Sequence, residues 1–560
     1  MDFIHLLKTK DGIKVSIYII FNLIFWIAIF CALLINFYIA GSIFLYEDNH
    51  DHHLAFFSYL GGMAKEGILP GIDFYSPHSV FIPIVIGIFF KFFGVSQVSL
   101  GISDGIIVFI TMIFIYKCAR LIMPSIFAKL AILTILLSHT GKDNPWFNDV
   151  IMLFVAIGIY FFALYFKLDK TLYKKISLII VGIIVFMLPY MRQQGIVISF
   201  VFLALPLILF YTKQIKDCDK KMMLKFIISS FLIANFLFFI FIVIRNGFEG
   251  LEILYTSFGT LVDMAQPAIG YENNISSIAN SIFNYTIDGM DWHGYSMKYL
   301  SYWFIIIIPC LYFLYQPLRI RFGLDSSVSN EDIIRFATSL VVLSTIVFNY
   351  PINEDARMRV QFGLGIWLFI DALRLCFYHK NIKLISTIFI AVVFLSINHS
   401  KITQFVDRII VNYENIFHTK ANYQKMPPNS PYKNMAFKDE YALHLNDLLY
   451  SIEDYHRKNP DTKIIFNGEL VDINNYLFLL FSGPKVDIAH KFPYYYGTFN
   501  RKSVFLDIDD KFNQYLKENK PMIIDCEFLS DNLPDGYKIL NKINNVCNIL
   551  IPKDMEDKSA

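Results

Sequence analysis

Long apolar stretches alternate with short polar segments up to about residue 398. A membrane-spanning helix needs about 20 mostly apolar residues, and eleven stretches approach that length. They centre on residues 16–44, 98–117, 124–140, 148–166, 175–191, 195–212, 226–245, 299–316, 334–350, 359–378 and 383–398. The pattern therefore predicts a polytopic α-helical membrane domain over residues 1–398.

The pattern changes after residue 398, where apolar runs shorten to strand length and charges become frequent. An amphipathic stretch at 437–457 precedes the strand-like runs TKIIFNGE, SVFLDID and MIIDCEF, with KFNQYLKEN as a helix between the last two. Residues 399–560 are therefore predicted to form a soluble α/β domain. No nucleophile elbow, phosphate-binding loop or dinucleotide fingerprint occurs in this tail.

Composition supports the membrane assignment. The chain is 55% hydrophobic and 17% charged, whereas a soluble domain carries about 25% charged residues. Its 56 Phe and 33 Tyr are more bulky aromatics than a water-exposed surface could hide. These figures exclude a soluble enzyme, a disordered scaffold and a nucleic-acid binder. The net charge of +2 indicates no particular partner.

The chain is expected to lie in a plasma or inner membrane, and the positions of its basic residues predict which loops are cytoplasmic. Lysines gather at the N-terminus and at 167–175 and 213–225, and these segments share one side if the chain crosses about eleven times. The N-terminus is then cytoplasmic and the tail extracytoplasmic. The apolar stretch 79–94 is interpreted as an interfacial or re-entrant helix on the outer face, because a further crossing there would move both lysine-rich loops outside. Two long outer segments remain, 45–97 and 246–298.

Two cysteines, Cys526 and Cys547, lie in strand-like runs of the predicted outer tail. An oxidising compartment permits a disulfide there, and neighbouring strands would bring the two sulfurs within reach. The sequence therefore predicts a Cys526–Cys547 disulfide.

The first outer segment is the richest in chemistry. It carries acidic residues and histidines, namely Glu47, Asp48, Asp51, Asp73, His50, His52, His53 and His78. Carboxylates at the mouth of a helical bundle can take a proton from an acceptor hydroxyl or hold a divalent cation on a phosphate. His50, His52 and His53 are weak metal-ligand candidates, since adjacent residues of a helix point to different faces. A hydrated polar loop is the alternative interpretation.

The order of residues in this segment resembles the first outer loop of GT-C-fold glycosyltransferases, including the bacterial protein-mannosyltransferase-like and lipid A aminoarabinose transferase-like members. The matching residues are Asp51 at the start of an outer helix, then Gly67, Pro70, Asp73, Phe74, Pro77, His78, Phe93 and Gly94. The resemblance implies an integral membrane enzyme that takes a sugar from a polyprenyl-phosphate donor. It also implies that a loop carboxylate is the base or orients the acceptor. The family's Asp-Glu pair is replaced here by Asp51-His52, which leaves Asp51, the favoured residue, or Asp48 as that carboxylate.

Further polar residues flank predicted spans on the outer side. Arg192 and Gln193 lie between the fifth and sixth spans, and Arg357 and Arg359 lie between the ninth and tenth. Arginines among apolar spans are costly unless they line a polar cavity, and guanidinium pairs with phosphate in bidentate fashion. Local pairing with the neighbouring Glu354 and Asp355 remains the alternative for Arg357 and Arg359. Asp149 resembles a second acidic position of the same family.

The sequence thus favours a glycosyltransferase that moves a sugar from a polyprenyl-phosphate-linked donor to an envelope glycan, lipid or protein acceptor. Asp51 or Asp48 would be catalytic, while Asp73, His78, Asp149, Arg192, Gln193, Arg357 and Arg359 would bind donor phosphate or acceptor. The need for a divalent cation stays open, because a monophosphate donor leaves less charge to neutralise than a pyrophosphate. The alternatives are a lipid-linked oligosaccharide flippase or transporter, favoured by the in-span Asp104 and Asp371, and a non-catalytic assembly partner.

Overall fold

A computed structural model gives the fold of the chain. It describes residues 10–42, 60–76, 80–95, 97–139, 147–269, 303–321, 328–346, 355–377, 423–425, 436–438, 454, 457–467, 494–495, 508–525, 536–543 and 547–553.

Long apolar helices dominate the first 377 residues. They are α1 (Lys10–Ser42), α2 (Phe81–Phe93), α3 (Gln97–Arg120), α4 (Ser125–His139), α5 (Phe147–Tyr165), α6 (Thr171–Met191), α7 (Gly195–Tyr211), α8 (Asp217–Ile269), α9 (Ile308–Arg321), α10 (Asn330–Ser344) and α11 (Asp355–Phe377). A π-helical turn, Trp303–Ile307, leads into α9. Each predicted span up to 359–378 overlaps one of these helices, while 383–398 lies outside the described residues.

Membrane-spanning length is reached by four helical segments within the described part of the chain. They are Ser99–Arg120, Asn148–Tyr165, Thr171–Met191 and Asp217–Ser257, and shorter apolar helices accompany them. The stretch read from the sequence as an interfacial helix forms α2, whose 13 residues are fewer than a span needs. The protein is therefore a polytopic α-helical membrane protein.

The helices pack in a bundle. Neighbouring pairs are α1 with α3, α3 with α5, α5 with α6, α6 with α7 and α8, α9 with α10, and α4 with α11. Their facing sides form one continuous apolar core, in which Phe127, Phe202 and Trp367 are almost fully buried. Large apolar side chains also remain exposed at helical spacing, as at Leu232, Phe236 and Ile240 on α8. A stripe of this kind is the face that a helix turns toward lipid.

The longest helix, α8, is interrupted at Gly247, which has a φ of 63°. A positive φ costs little only at glycine, so this residue lets the chain change direction without strain. The helix then continues to Ile269. The beginning of the segment 246–298, assigned from the sequence to an outer loop, is thus helical.

Charged side chains tie α10 and α11 together at one end of the bundle. The buried Asp371 accepts hydrogen bonds from Arg335 at 2.7 Å and from Arg374 at 2.8 Å. Arg335 also donates to Asp332, which forms a capping box with Ser329 at the start of α10. The positive charges of Arg335 and Arg374 offset the cost of burying the Asp371 carboxylate. The buried position of Asp371 therefore has a structural explanation. Asp371, one of the two in-span aspartates that favoured a transporter, therefore carries less weight for that function.

The described part of the tail contains a sheet and a helix. Five strands follow the order β4 (Tyr494–Tyr495), β3 (Ile464–Asn467), β5 (Met522–Asp525), β7 (Cys547–Pro552) and β6 (Tyr537–Ile543). β3 is parallel to β4 and β5, whereas β7 is antiparallel to β5 and β6. The helix α12 (Ile508–Asn519) precedes β5. A separate antiparallel pair joins β1 (Tyr423–Lys425) to β2 (Ala436–Lys438).

The α/β character of the tail agrees with the sequence, but two predicted segments differ in detail. The predicted strand SVFLDID ends inside α12, which begins at Ile508, because the polar residues that follow continue with helical periodicity. The predicted amphipathic stretch 437–457 begins in β2, where backbone pairing with β1 determines the conformation. Cys547 begins β7, and Cys526 lies outside the described residues, so the disulfide remains a prediction.

We expect Gly182→Leu to destabilise the bundle. A Cβ at this position of α6 would lie 2.0 Å from Ser230 Oγ and 2.5 Å from the Ile227 carbonyl oxygen of α8. Overpacking of this kind costs about 1–3 kcal/mol, and thermal unfolding of the detergent-solubilised protein should reveal it. Adding Ser230→Ala should not restore stability, because the backbone carbonyl still blocks the Cβ. Ile183→Leu, at the exposed neighbouring position, is the control.

Candidate functional site

Among the described residues of the predicted first outer loop, Asp73 is the carboxylate that accepts the most hydrogen bonds. Its Oδ1 accepts hydrogen bonds from Arg245 Nε at 2.6 Å and from Asn246 Nδ2 at 2.8 Å. Its Oδ2 accepts from Arg245 Nη2 and from the Leu69 backbone N–H, both at 2.6 Å. Arg245 therefore pairs with Asp73 in bidentate fashion, which is the strongest geometry for such a pair.

The backbone conformation of residues 60–76 determines the position of this carboxylate. Gly67 and Gly71 have φ values of 86° and 72°, which place them in the left-handed region. The turn between them closes when the Asp73 N–H donates to the Leu69 carbonyl oxygen, and the Gly67 carbonyl accepts from Arg245. The residues Gly67, Pro70, Asp73 and Phe74, noted in the sequence for their order, thus form one compact turn.

Two opposing effects act on the pKa of Asp73. Burial raises it, since a carboxylate loses hydration. The hydrogen bonds from Arg245, Leu69 and Asn246, together with the charge of Arg245, lower it by more. The net result is a pKa below the usual aspartate value, so Asp73 is ionised at neutral pH.

A second polar group lies where α5 begins and α6 ends. Arg192 is the C-cap residue of α6 and has an extended backbone conformation. Its Nη1 donates a hydrogen bond to Asn148 Oδ1 at 2.6 Å. Asn148 and Asp149 are buried in the first turn of α5. Gln193 follows Arg192 in the short turn before α7. The structure thus brings together Arg192, Gln193 and Asp149, three residues selected from the sequence.

An apolar cavity of about 540 Å³ lies beside this turn, between α6, α7 and α8. Its lining is mostly aromatic and aliphatic, with Tyr190, Ser199, Asn235 and Tyr255 as polar members. Tyr190 donates a hydrogen bond to Asn235 across the cavity wall at 3.3 Å. Ile196 and Phe200, which also line the cavity, are more than half exposed on the outer surface of the bundle. The cavity is thus open toward the side that faces lipid.

Direct contacts connect these features at one end of the bundle, which we call the loop end. The Val80 N–H donates to the Tyr190 carbonyl oxygen at 3.0 Å, so the start of α2 lies on the end of α6. Phe81, Phe186 and Phe238 pack with Tyr190 in an aromatic cluster. Ile72 belongs to the same apolar cluster as Val80 and Phe186, so the cavity, the Arg192 turn and residues 60–76 are neighbours.

The remaining residues selected from the sequence lie outside the described residues or at the start of α11. Asp48, Asp51, His50, His52, His53 and His78 lie outside the described residues. Arg357 and Arg359 lie in the first turns of α11, whose backbone alone is described there. Among the residues the structure describes, no group of three or more His, Cys, Asp or Glu side chains could hold a metal ion. The roles of these residues remain predictions.

Sequence reasoning missed Arg245, Asn246 and Asn148. A signal for the first two was present, because Arg245-Asn246-Gly247 ends an apolar span with an arginine followed by turn-forming residues. An arginine on the predicted outer side also departs from the basic bias of cytoplasmic loops. Asn148 carried no comparable signal, since a single asparagine before an apolar run reads as a helix cap.

Searches for related proteins found structural matches alone. The chain matches no family model and no curated protein. It is similar in structure to ArnT from Cupriavidus metallidurans in the apo state, with 10% identity, a TM-score of 0.49, and coverage of 97% of this chain and 98% of that one. ArnT bound to undecaprenyl phosphate matches over the same shares with a TM-score of 0.44. The oligosaccharyltransferase of Archaeoglobus fulgidus matches at 11% identity and a TM-score of 0.49, over 83% of this chain and 64% of that one.

These matches are membrane glycosyltransferases of the GT-C fold, the group whose first outer loop this sequence resembles.

We expect Asp73→Asn to lower the stability of the protein at neutral pH by about 2 kcal/mol, because bonds to an ionised carboxylate are lost. The pKa of Asp73 is lowered in the folded state. Its contribution to the free energy of unfolding is therefore fully present above the pKa that aspartate has in the unfolded chain, about 3.9. The contribution is lost as the pH falls through the lower folded value.

Thermal unfolding of both proteins across this range measures the effect. The difference between native protein and variant should stay constant down to about pH 5 and then shrink. Asp169→Asn, at an exposed position, is the control. A difference that is missing at neutral pH, or that grows on acidification, would contradict the assignment.

Proposed function

We propose that the protein is a membrane glycosyltransferase that transfers a sugar from a polyprenyl-phosphate-linked donor to an envelope glycan, lipid or protein acceptor. The reaction would take place at the outer face of a plasma or inner membrane, with the tail extracytoplasmic. The observation that carries the proposal is an apolar cavity, open toward lipid, that lies directly beside the Arg192 turn.

The cavity suits the hydrocarbon part of such a donor. Its lining offers aromatic and branched apolar side chains, so a polyprenyl chain entering from the bilayer would keep apolar surroundings. A volume of about 540 Å³ accommodates several isoprene units rather than the whole chain. The remainder of the chain would stay among the lipids.

The adjoining polar turn suits the phosphate. Arg192 follows Tyr190 of the cavity wall by two residues, and Asn148 orients its guanidinium. A fixed positive charge there would stabilise the polyprenyl phosphate as it leaves the sugar. Gln193 would donate a further hydrogen bond, and Asp149 would limit the excess positive charge. Arg357 and Arg359 are further candidates for holding the phosphate.

The reaction needs a base as well as a stabilised leaving group. Asp51, or Asp48 three residues earlier, would take the proton of an acceptor hydroxyl as its oxygen attacks the anomeric carbon. The bond from that carbon to the phosphate oxygen breaks, and polyprenyl phosphate departs with the electron pair. Direct attack inverts the anomeric configuration. Asp73 and His78 would shape the pocket around the two reactants.

Sugar transfer in proteoliposomes tests the proposal. Native protein should transfer sugar from a polyprenyl-phosphate donor to crude envelope acceptor, and Asp51→Asn should lower the rate by about 100-fold or more without weakening donor binding. Loss in Asp48→Asn alone would move the base to Asp48. Asp217→Asn, at the exposed start of α8, is the control. Absence of transfer by native protein from every donor tried would refute the enzyme proposal.

The cavity gives an independent prediction. Leu203→Trp places a larger side chain in the lining and should weaken the binding of polyprenyl phosphate by about tenfold or more, through competition for the same volume. Leu207→Trp, one turn further along α7 and exposed outside the lining, should leave binding unchanged. Native mass spectrometry of the detergent-solubilised protein with polyprenyl phosphate measures both. Equal effects from the two variants would place the lipid elsewhere.

A further inference from the structure

Residues 60–76 are attached to α8 on both sides of its kink. Before Gly247, Arg245 and Asn246 bind Asp73, and Asn246 also donates to the Ile72 carbonyl oxygen at 2.9 Å. After Gly247, the Ser257 hydroxyl oxygen accepts from the Ser76 N–H at 3.1 Å. Both halves of α8 are therefore bonded to residues 60–76. This segment has few ways to move unless the angle between the two halves changes.

Apolar packing reinforces this attachment. Ile72 and Val80 are buried against Ile242 from the first half of α8 and Leu254 from the second half. Phe186 and Phe238 complete the same cluster. Segment 60–76 is thus held by burial as well as by hydrogen bonds.

The cavity spans the same kink. Phe231, Asn235 and Phe239 line it from the first half of α8, whereas Leu251 and Tyr255 line it from the second half. An occupant therefore contacts both arms of the bent helix and limits the angle between them. Leu254 belongs to the cavity lining and also to the cluster beneath residues 60–76.

The hydrogen bonds of Asp73 indicate what this carboxylate does. An ionised carboxylate has about four acceptor sites, and those of Asp73 accept from Arg245 twice, from Asn246 and from the Leu69 N–H. Its side chain is 9% exposed. A carboxylate saturated in this way has no lone pair left for a substrate proton or a cation.

We infer that Asp73, Arg245 and Asn246 form a positioning group that fixes the first outer loop to the first arm of the kinked helix, while Ser76 and Ser257 join it to the second arm, so that occupancy of the cavity and the position of the loop change together. The inference deepens the proposed function, since the loop carries Asp48 and Asp51 in sequence just ahead of residue 60. The positioning group of Asp73, Arg245 and Asn246 acts on the reaction through the position of the loop.

Hydrogen–deuterium exchange of the full-length protein in nanodiscs tests the positioning group directly. Arg245→Gln should speed exchange across residues 60–76 by about tenfold, because the loop loses its ion pair. Arg245→Lys keeps the charge but loses the bidentate geometry, so it should recover only part of the protection. Glu331→Gln, which breaks the Lys167–Glu331 pair at the opposite end of the bundle, should leave residues 60–76 unchanged. Equal exchange in native protein and Arg245→Gln would overturn the inference.

Coupling to the cavity is tested with two occupants. Polyprenyl phosphate, and separately Leu203→Trp, which fills the cavity with its own side chain, should each change exchange in residues 60–76, whereas Leu207→Trp should not. If polyprenyl phosphate fails to bind, the proposed donor is wrong, and Leu203→Trp still decides the coupling. Exchange in residues 60–76 that is unaffected by Leu203→Trp would overturn it.

Kinetics separate positioning from simple loss of fold. Arg245→Gln should lower kcat by about tenfold or more while the Kd for polyprenyl phosphate stays within about threefold of native, because misplacement of a reacting group affects the chemical step. Arg245→Lys, which keeps the charge without the bidentate geometry, should restore part of kcat. A variant that loses donor affinity in proportion to kcat would show that Arg245 binds the donor and would overturn the positioning role.

Discussion

The ion pair between Asp73 and Arg245 is the interaction on which the loop end of the bundle depends. Without it, an arginine would stand at the end of an apolar helix and an aspartate would be buried in a turn, and each would be costly alone. Together they allow a glycine-containing turn, a kinked helix and a lipid-facing cavity to adjoin. The pair is bidentate and receives additional donors from Asn246 and Leu69, which is the condition under which a largely buried charge is tolerated.

Charged side chains form different kinds of contact at the two ends of the bundle. At the end where α10 begins, Arg335, Asp371 and Arg374 form a network that joins two helices by side-chain contacts. Lys167 and Glu331 add a link between the loop after α5 and the start of α10. At the loop end, charge instead joins a helix to a turn beside a cavity. The first arrangement stiffens the bundle, whereas the second places polar groups next to space that a ligand can enter.

Much of the helical architecture could be predicted from the sequence, because spans in a bilayer must satisfy their own backbone and so require long apolar runs. The resemblance of Gly67, Pro70, Asp73 and Phe74 to a known loop likewise identified a segment that folds as one turn. The partner of Asp73 could not be predicted, since Arg245 lies far away in sequence and pairs through tertiary contact. The sequence marked the end of the apolar run at Arg245-Asn246-Gly247, but it did not predict that the helix resumes after Gly247 and continues to Ile269.

The opening of the cavity between Ile196 and Phe200 determines how its occupant is supplied. An apolar molecule reaches this opening by diffusing sideways within the membrane, so its supply depends on how many such molecules there are per lipid and not on their concentration in water. Dilution by other lipids then lowers the occupancy of the cavity, even when the amounts of protein and of the apolar molecule are fixed. A change in the area of the membrane, at a constant content of that molecule, would alter the occupancy of the cavity in the same way as a change of volume alters the occupancy of a binding site in water.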